Sequence, residues 1–277
     1  MAEITAALVR QLREETGLPM MDCKQALNET GGDITAAKDK MREKGLKLQE
    51  TRGGRETTFG RFGIYAGVDK KASGIVELKC ESAPVAGSEE FIRLANALAQ
   101  QLATGPGAKT ADELLDQPSP AHPGKTLRQV KDDMFNRIRE VFNIGRMARL
   151  EGASGGYSHN SGTVSGVIVQ VEGGTDEAAK DVSMHIAAMR PLAVSTSEVD
   201  PAVVEKERSI LRAAALAEGK PANIVDKMVE GRLKNFYAER VLLEQPFVKE
   251  NSLSVGKYAE SNGMKVKKFV HWELGKE

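Results

Sequence analysis

The chain has 277 residues, in which 39 Lys and Arg balance 39 Asp and Glu to a formal net charge of zero. Nucleic-acid binders draw most of their affinity from counterion release by a basic excess, so this balance argues against a direct nucleic-acid contact surface. At 40% hydrophobic, 28% charged and 5% aromatic residues, the composition is that of a globular protein with roughly two domains.

No apolar run approaches the ~20 residues of a membrane span, and MAEITAALVRQLREE lacks the sections of a signal peptide. A cytoplasmic location without membrane contact is expected. Cys23 and Cys80 cannot build a disulfide framework, and four histidines without a cysteine cluster give no zinc spacing. Neither a metal site nor a cofactor is expected.

Residues from about 3 to 48 read as three short helices. In the first, Ile4, Leu8, Val9 and Leu12 line one face, and Thr16-Gly17-Leu18-Pro19 breaks it. The second runs from Met20 to Glu29 and ends at Gly31-Gly32; Asp33 caps a third that carries Ile34, Ala37 and Met41. Met20 and Met21 leave two readings open, filling the small core or forming an adaptable contact surface. Within residues 1–50 eight Lys/Arg face nine Asp/Glu, which suits docking onto a protein through apolar ridges. A helical triplet this small gains little stability alone and typically offers such a ridge to a partner.

Leu46 to Gly60 is polar, holds three glycines and has no period, so it reads as a linker that lets the module move independently. The boundaries are drawn as a docking module at 1–48 and a linker at 49–60. Beyond it the chain repeats itself. Tyr65-Ala66-Gly67-Val68, a turn at Asp69–Ser73, the strand Gly74–Cys80 and a helix from about Ser88 to Leu102 form one copy. Tyr157-Ser158-His159, a turn near Ser161-Gly162, the strand Gly166–Glu172 and a helix from about Glu177 to Met189 form the other. Alternation in GIVELKC and GVIVQVE marks half-buried strands. The fold class is therefore α+β with a duplicated core, subdomains at 61–150 and 151–277.

Between the copies, a Pro-rich turn at 117–123 leads into a helix through Leu127, Val130, Met134, Ile138 and Val141 or Phe142, continuing toward Gly152. After the second copy, Pro201–Glu218 and Pro221 to about Arg240 form a protruding antiparallel helical hairpin joined by Gly219-Lys220. Its facing residues are expected to be Val204, Leu211 and Ala215 against Ile224, Met228 and Leu233. A last strand, Met264–Glu273, returns to the second sheet.

Three patterns invite catalytic readings. Gly152-Ala153-Ser154-Gly155-Gly156 matches G-x-S-x-G, with His159, His185 and His271 as candidate bases, but a nucleophile elbow needs a strand before and a helix after the serine, the reverse of the order expected here. Gly124-Lys125-Thr126 resembles the end of a phosphate loop, yet its preceding prolines lack the amide donors such a loop requires. Cys80 ends a strand with Lys79 on the opposite face, so it reads as a buried residue, and the histidines read as packing or contact residues. No catalytic residue is assigned, and the chain is expected not to be an enzyme.

Thr16-Gly17-Leu18-Pro19-Met20-Met21-Asp22-Cys23-Lys24-Gln25-Ala26-Leu27 resembles the N-terminal signature of bacterial elongation factor Ts, T-G-x-G-M-M-D-C-K-x-A-L, with Pro19 at the usual glycine. The resemblance continues through Leu150-Glu151-Gly152, Tyr157-x-His159, His185-Ile186-Ala187-Ala188, Gly219-Lys220-Pro221, Lys227 to Arg232 and Gln245-Pro246-Phe247-Val248. It implies a translation factor that binds elongation factor Tu carrying GDP and promotes exchange for GTP. It further implies that the N-terminal module is similar to a ubiquitin-associated domain and that this module and the first core subdomain grip the GTPase domain. By the same resemblance the second subdomain holds the partner's third domain, and the hairpin serves self-association in some members. Met20, Met21 and His159 are the implied partner contacts. The family's exchange segment, T-D-F-V-A after the strand cysteine, corresponds to Ser82-Ala83-Pro84-Val85-Ala86, so the carboxylate and aromatic that enter the partner's nucleotide site are replaced by Ala83 and Pro84. The alternative carried with this reading is a related binding protein that docks the GTPase or another partner without efficient exchange.

Overall fold

The computed structural model describes residues 4–219 and 221–276. Helix α1 (Ala6–Thr16) starts at Thr5, whose hydroxyl accepts from the Leu8 amide, and stops at Gly17, where a left-handed backbone returns the N–H to the Arg13 carbonyl. Helix α2 (Met20–Glu29) follows Pro19, and α3 (Ile34–Arg52) follows Asp33, whose carboxylate accepts from the Ala36 amide. Val9, Leu12, Leu18, Cys23, Ala26, Leu27, Ala37 and Met41 close a core of their own.

Helix α3 outruns the sequence pattern. The expected linker at 49–60 is helical to Arg52 because 46–52 holds good helix formers and neither Gly nor Pro. Gly53-Gly54 ends the helix, and 53–58 alone lead into β1 (Phe59–Tyr65). Tyr65 closes that strand, so 66–68, expected within it, belong to the following turn. Then come β2 (Ala72–Cys80), α4 (Ala83–Ala86), α5 (Glu89–Thr104), α6 (Ala111–Leu115), α7 (Leu127–Ile138) and β3 (Asn143–Glu151).

The three strands form a sheet in the order β1-β2-β3. Strand β3 stands where sequence reasoning continues a helix. Helix α7 stops at Arg139, which takes the left-handed conformation (φ 65°), leaving Val141 and Phe142 outside it. Part of what holds β3 is a buried charge pair. The Arg146 fork donates from Nε to Glu77 Oε2 at 3.1 Å and from Nη2 to Oε1 at 2.8 Å, with the Arg146 backbone N–H also on Oε2. Two parallel charge-assisted bonds satisfy a carboxylate that is almost wholly buried.

By its internal contacts the chain divides into two compact units, Met1–Gly63 with Val76–Met147 and Ile64–Ile75 with Ala148–Glu277. This division differs from boundaries at 61–150 and 151–277, because residues 64–75 cluster with the second unit. In the first unit α3 packs along α7, so the N-terminal module is seated on its own unit instead of swinging on a linker. Gly45 makes that seat: a β carbon there would collide with the Asn136 carboxamide of α7. In the same unit Gly63 of β1 lies against the Ala95 carbonyl of α5, again leaving no room for a β carbon.

In the second unit β4 (Ser154–His159), β5 (Ser165–Gly173) and, later in the chain, a strand at Met264–Glu273 form an antiparallel sheet. Helix α8 (Asp176–Met189) covers it, and α9 (Pro201–Ala217), α10 (Ala222–Arg240), β6 (Pro246–Phe247), β7 (Glu250–Ser254) and α11 (Val255–Ser261) lie between α8 and that strand, β8. In register, Tyr157 pairs with Val167, and Val167 with His271. Val167, Val169 and Val171 face Ala179, Val182 and Ile186 of α8 in one core. Gly155 on β4 repeats the Gly63 arrangement, lying against the Ala179 carbonyl. The turn after β1 is pinned here too: Val68 N–H donates to Asp176 Oδ1 at 2.8 Å, and Ser154 N–H to the Gly67 carbonyl.

Helices α9 and α10 pack as a hairpin around Ala215, Val225, Val229 and Leu233, with Val204 and Leu211 beside them. Val225 and Val229 replace the expected Ile224 and Met228, because positions four and eight before Leu233 share its face. Ile224 is exposed and Met228 only partly covered. Arg212–Asp226 and Arg232–Glu218 join the helices at 2.6 and 2.9 Å. Lys220 of the expected Gly219-Lys220 joint lies outside the described residues. No helix among the described residues is long and apolar enough to cross a membrane.

His185, on α8, is fully buried. Its Nδ1 accepts from the Val248 N–H at 3.2 Å, which fixes the proton on Nε2, where Gln245 Oε1 accepts at 3.0 Å. Gln245 in turn donates to the Glu239 carbonyl at 2.9 Å. Burial holds the His185 pKa below its ordinary value, against a smaller opposing pull from Gln245. The unfolded chain therefore takes up the proton first, and this stabilisation is complete above about pH 6.5 and lost as pH falls below it. Trp272, the single tryptophan, lies in the same unit and reports its unfolding. Trp272 fluorescence in urea is expected to show a lower midpoint at about pH 5.5 than at about pH 7.5, with a flatter dependence in His185→Gln. A residual slope of the same sign remains from His271, whose pKa burial also lowers. At neutral pH His185→Ala is expected to cost about 2–4 kcal/mol, because it opens a cavity and strips partners from Val248 N–H and Gln245.

Candidate functional site

Strand β2 ends at Cys80, whose thiol is buried and donates to the Ser82 carbonyl at 3.2 Å. Burial pushes its pKa up to about 11, so at neutral pH it is a thiol and a poor nucleophile. The chain then turns outward through Ser82 into α4, a single turn in which Pro84 needs no N–H donor. Ala86 and Gly87 N–H groups return to the Ser82 and Ala83 carbonyls. Ala83 and Pro84 are exposed, and no residue of α4 is buried. Ser88 closes the segment, donating its hydroxyl to the Val85 carbonyl at 2.8 Å while accepting from Phe91 N–H at the start of α5.

Met20 and Met21 open α2 and are 47% and 73% exposed, whereas Cys23, Ala26 and Leu27 on the same helix are buried. The module core closes without either methionine, leaving both exposed. The next residue, Asp22, accepts from Arg139 Nη2 at 2.9 Å. Ser82, Ala83, Pro84, Val85, Met20 and Met21 all belong to the first unit; His159 belongs to the second. It ends β4, half-exposed, with Nδ1 3.0 Å from the Tyr157 hydroxyl.

The family model described as Elongation factor TS matches residues 84–276. Elongation factor Ts of Methylococcus capsulatus is 44% identical over 273 residues, spanning 98% of this chain and 92% of that protein. The chain belongs to the elongation factor Ts family. Elongation factor Ts of Thioalkalivibrio sulfidiphilus is 39% identical, spanning 98% of this chain and 92% of its own length, and that of Aquifex aeolicus 40%, spanning 96% of each. By this membership the chain is a translation elongation factor.

Among elongation factor Ts motifs, the geometry separates exposed residues from buried ones. His185 and Gln245 are bonded to each other inside the second unit, so these two motif residues carry packing. The G-x-S-x-G reading fails on one of the two grounds expected: strand β3, not a helix, precedes the serine, but a strand, β4, follows it in place of the required helix. Ser154 is fully buried and its hydroxyl has no partner among the described residues, hence no base. Gly124-Lys125-Thr126 is a helix start. Thr126 and Gln129 form a capping box, each side chain accepting the other's backbone N–H at 3.2 and 3.0 Å.

Sequence reasoning passed over Phe59 and Leu46, exposed apolar residues in the expected linker, and the charged residues Arg139 and Glu140 that reach Asp22 and Ser82. The only signals were an apolar residue in a polar stretch and a charge pair just past a helix end. With both cysteines buried, a thiol reagent is expected to modify neither in the native protein and both in denaturant, read by absorbance or mass.

Proposed function

We propose that this chain binds the GTPase elongation factor Tu in its GDP form and accelerates GDP release, making and breaking no covalent bond. GTP then refills the site. The observation that carries this reading is family membership over nearly the whole chain, joined to an exposed one-turn helix where the family's exchange segment falls. Physically, the chain must bind the nucleotide-free GTPase more tightly than the GDP form; by linkage, each ligand then weakens the other equally. Met20, Met21 and the 82–85 segment engage the GTPase domain, and His159 a second surface of the partner. The site is in the cytoplasm, with no direct contact to nucleic acid or membrane. Through the exposed Val203, Ile210 and Leu216 of the hairpin, the chain also self-associates.

The second reading, docking without efficient exchange, draws on Ala83 and Pro84. A methyl group and a pyrrolidine ring reach less far than the Asp and Phe of the family pattern and carry neither charge nor aromatic surface. Stopped-flow release of fluorescent GDP from elongation factor Tu separates the two. Acceleration that saturates with protein concentration is the expected result; tight binding with unchanged release supports docking alone. The double change Ala83→Asp with Pro84→Phe is expected to raise the maximal release rate. Met21→Ala is expected to raise the half-saturating concentration by about five- to tenfold, as truncation of an exposed anchor does.

A further inference from the structure

Helix α4 is too short to hold itself, since one turn does not repay the cost of helix nucleation, and with no buried residue it has little apolar anchorage. Its N-terminal position adds a second peculiarity. Ser82 occupies the place where a serine hydroxyl ordinarily accepts from an amide of the first turn, yet it makes no such bond. The hydroxyl instead donates to Glu140 Oε1 at 2.6 Å, and the Ser82 N–H donates to Glu140 Oε2 at 3.1 Å. A single carboxylate 58 residues away thus takes both donors of the residue that launches the segment.

The neighbouring residues repeat the bond in the opposite sense. Glu81 Oε1 accepts from the Val141 N–H at 2.8 Å, while Glu140 accepts from Ser82. Two adjacent pairs, 81–82 and 140–141, therefore exchange carboxylate for amide across the gap, which fixes their separation and register. The Val141 amide, with Arg55 on Glu81 Oε2 at 3.0 Å, holds the Glu81 carboxyl below the usual carboxylate range. One residue earlier, Arg139 reaches the N-terminal module. Its guanidinium donates to Asp22, the residue after Met21, and its carbonyl accepts from Arg52 Nη1 at 2.5 Å.

We infer that Glu140 is a positioning residue. Through its bonds to Ser82 it orients the 82–86 segment, and through the adjoining Arg139 it ties that segment to Met20 and Met21, so that the two meet the partner in fixed relation. The inference rests on the reading that these residues engage a GTPase. What Glu140 contributes is preorganisation, which lowers the ordering cost of binding and of any transition that uses α4. Loss of Glu140 should therefore reduce the maximal effect of bound protein more than its affinity, which also draws on Met20 and Met21.

Amide hydrogen exchange on the free full-length chain tests the clamp without reference to the partner. In Glu140→Ala the amides of Ala86, Gly87 and Ser88 are expected to exchange about tenfold faster than in the parent chain, the loss of charge-assisted bonds, while α8 amides stay unchanged. Glu140→Gln, which keeps an acceptor for Ser82, is expected to recover part of the protection. In GDP release, Glu140→Ala is expected to lower the maximal rate about tenfold, with the half-saturating concentration within about threefold of the parent. Unchanged protection at 86–88 overturns the inference, as does lost protection with an unchanged maximal rate. A parent chain that binds elongation factor Tu without accelerating release overturns the exchange reading alone. In that case faster exchange at 86–88 in Glu140→Ala supports the positioning role, and unchanged exchange there overturns it.

Discussion

Twice among the described residues a helix backbone meets a strand with no β carbon between them, and the layers depend on it. Gly63 against Ala95 and Gly155 against Ala179 are the same contact made twice, once in each unit. The facing helices answer with alanines, Ala95 and Ala99 on α5 and Ala178 and Ala179 on α8, so the layers approach until main chain touches main chain. At that distance a single added methyl group has nowhere to go, because backbone cannot rotate away as a side chain can. Once the helices are seated, much else follows: the start of α5 fixes where α4 ends, and α8 carries His185 to Gln245.

Around these contacts, buried polar groups set direction. Arg146 on Glu77 specifies which strand lies beside β2, since no neutral residue offers the same planar fork. Asp181, nearly buried on α8, accepts from Lys249 and from the Tyr258 hydroxyl, drawing the β6–β7 region and α11 onto the same helix. Tyr258 also stacks on Phe247 with ring centroids 4.1 Å apart. Desolvation and the Asp181 bond push the phenol pKa up to about 12, so it remains a donor across the physiological range. Such groups gain little free energy over an apolar replacement, but each penalises an alternative arrangement that leaves it unpaired.

Strands β2 and β5 with the helices α5 and α8, the three N-terminal helices, the long hairpin and the final strand were legible because each announces itself over a short window. Alternation in GIVELKC and GVIVQVE is local, and so are Asp33 and Pro201 as helix starts. Strand β3 was not legible, since Arg146, Met147, Ala148, Arg149 and Leu150 favour a helix and become a strand only by pairing with residues far away in the chain. The extent of α3 was hidden by its polar surface, a feature it shares with a loop. At the candidate site, motif reading found the exposed Met20, Met21 and Ala83-Pro84. His185 and Gln245, which carried the family motif and no site role, form a buried bond, and motif reading passed over Glu140, which declares itself only through a distance to Ser82.

Arg139 carries a further consequence in its backbone. A left-handed conformation costs a residue with a β carbon roughly 1–2 kcal/mol more than glycine, and glycine is the usual occupant of such a helix end. Replacement by glycine would therefore relax the main chain at the moment it cut the tie to Asp22. Pressure for a sturdier fold and pressure for a module held in one orientation pull this position in opposite directions. A lineage that drifts toward thermal robustness would loosen the seating of this module here without disturbing a single core residue.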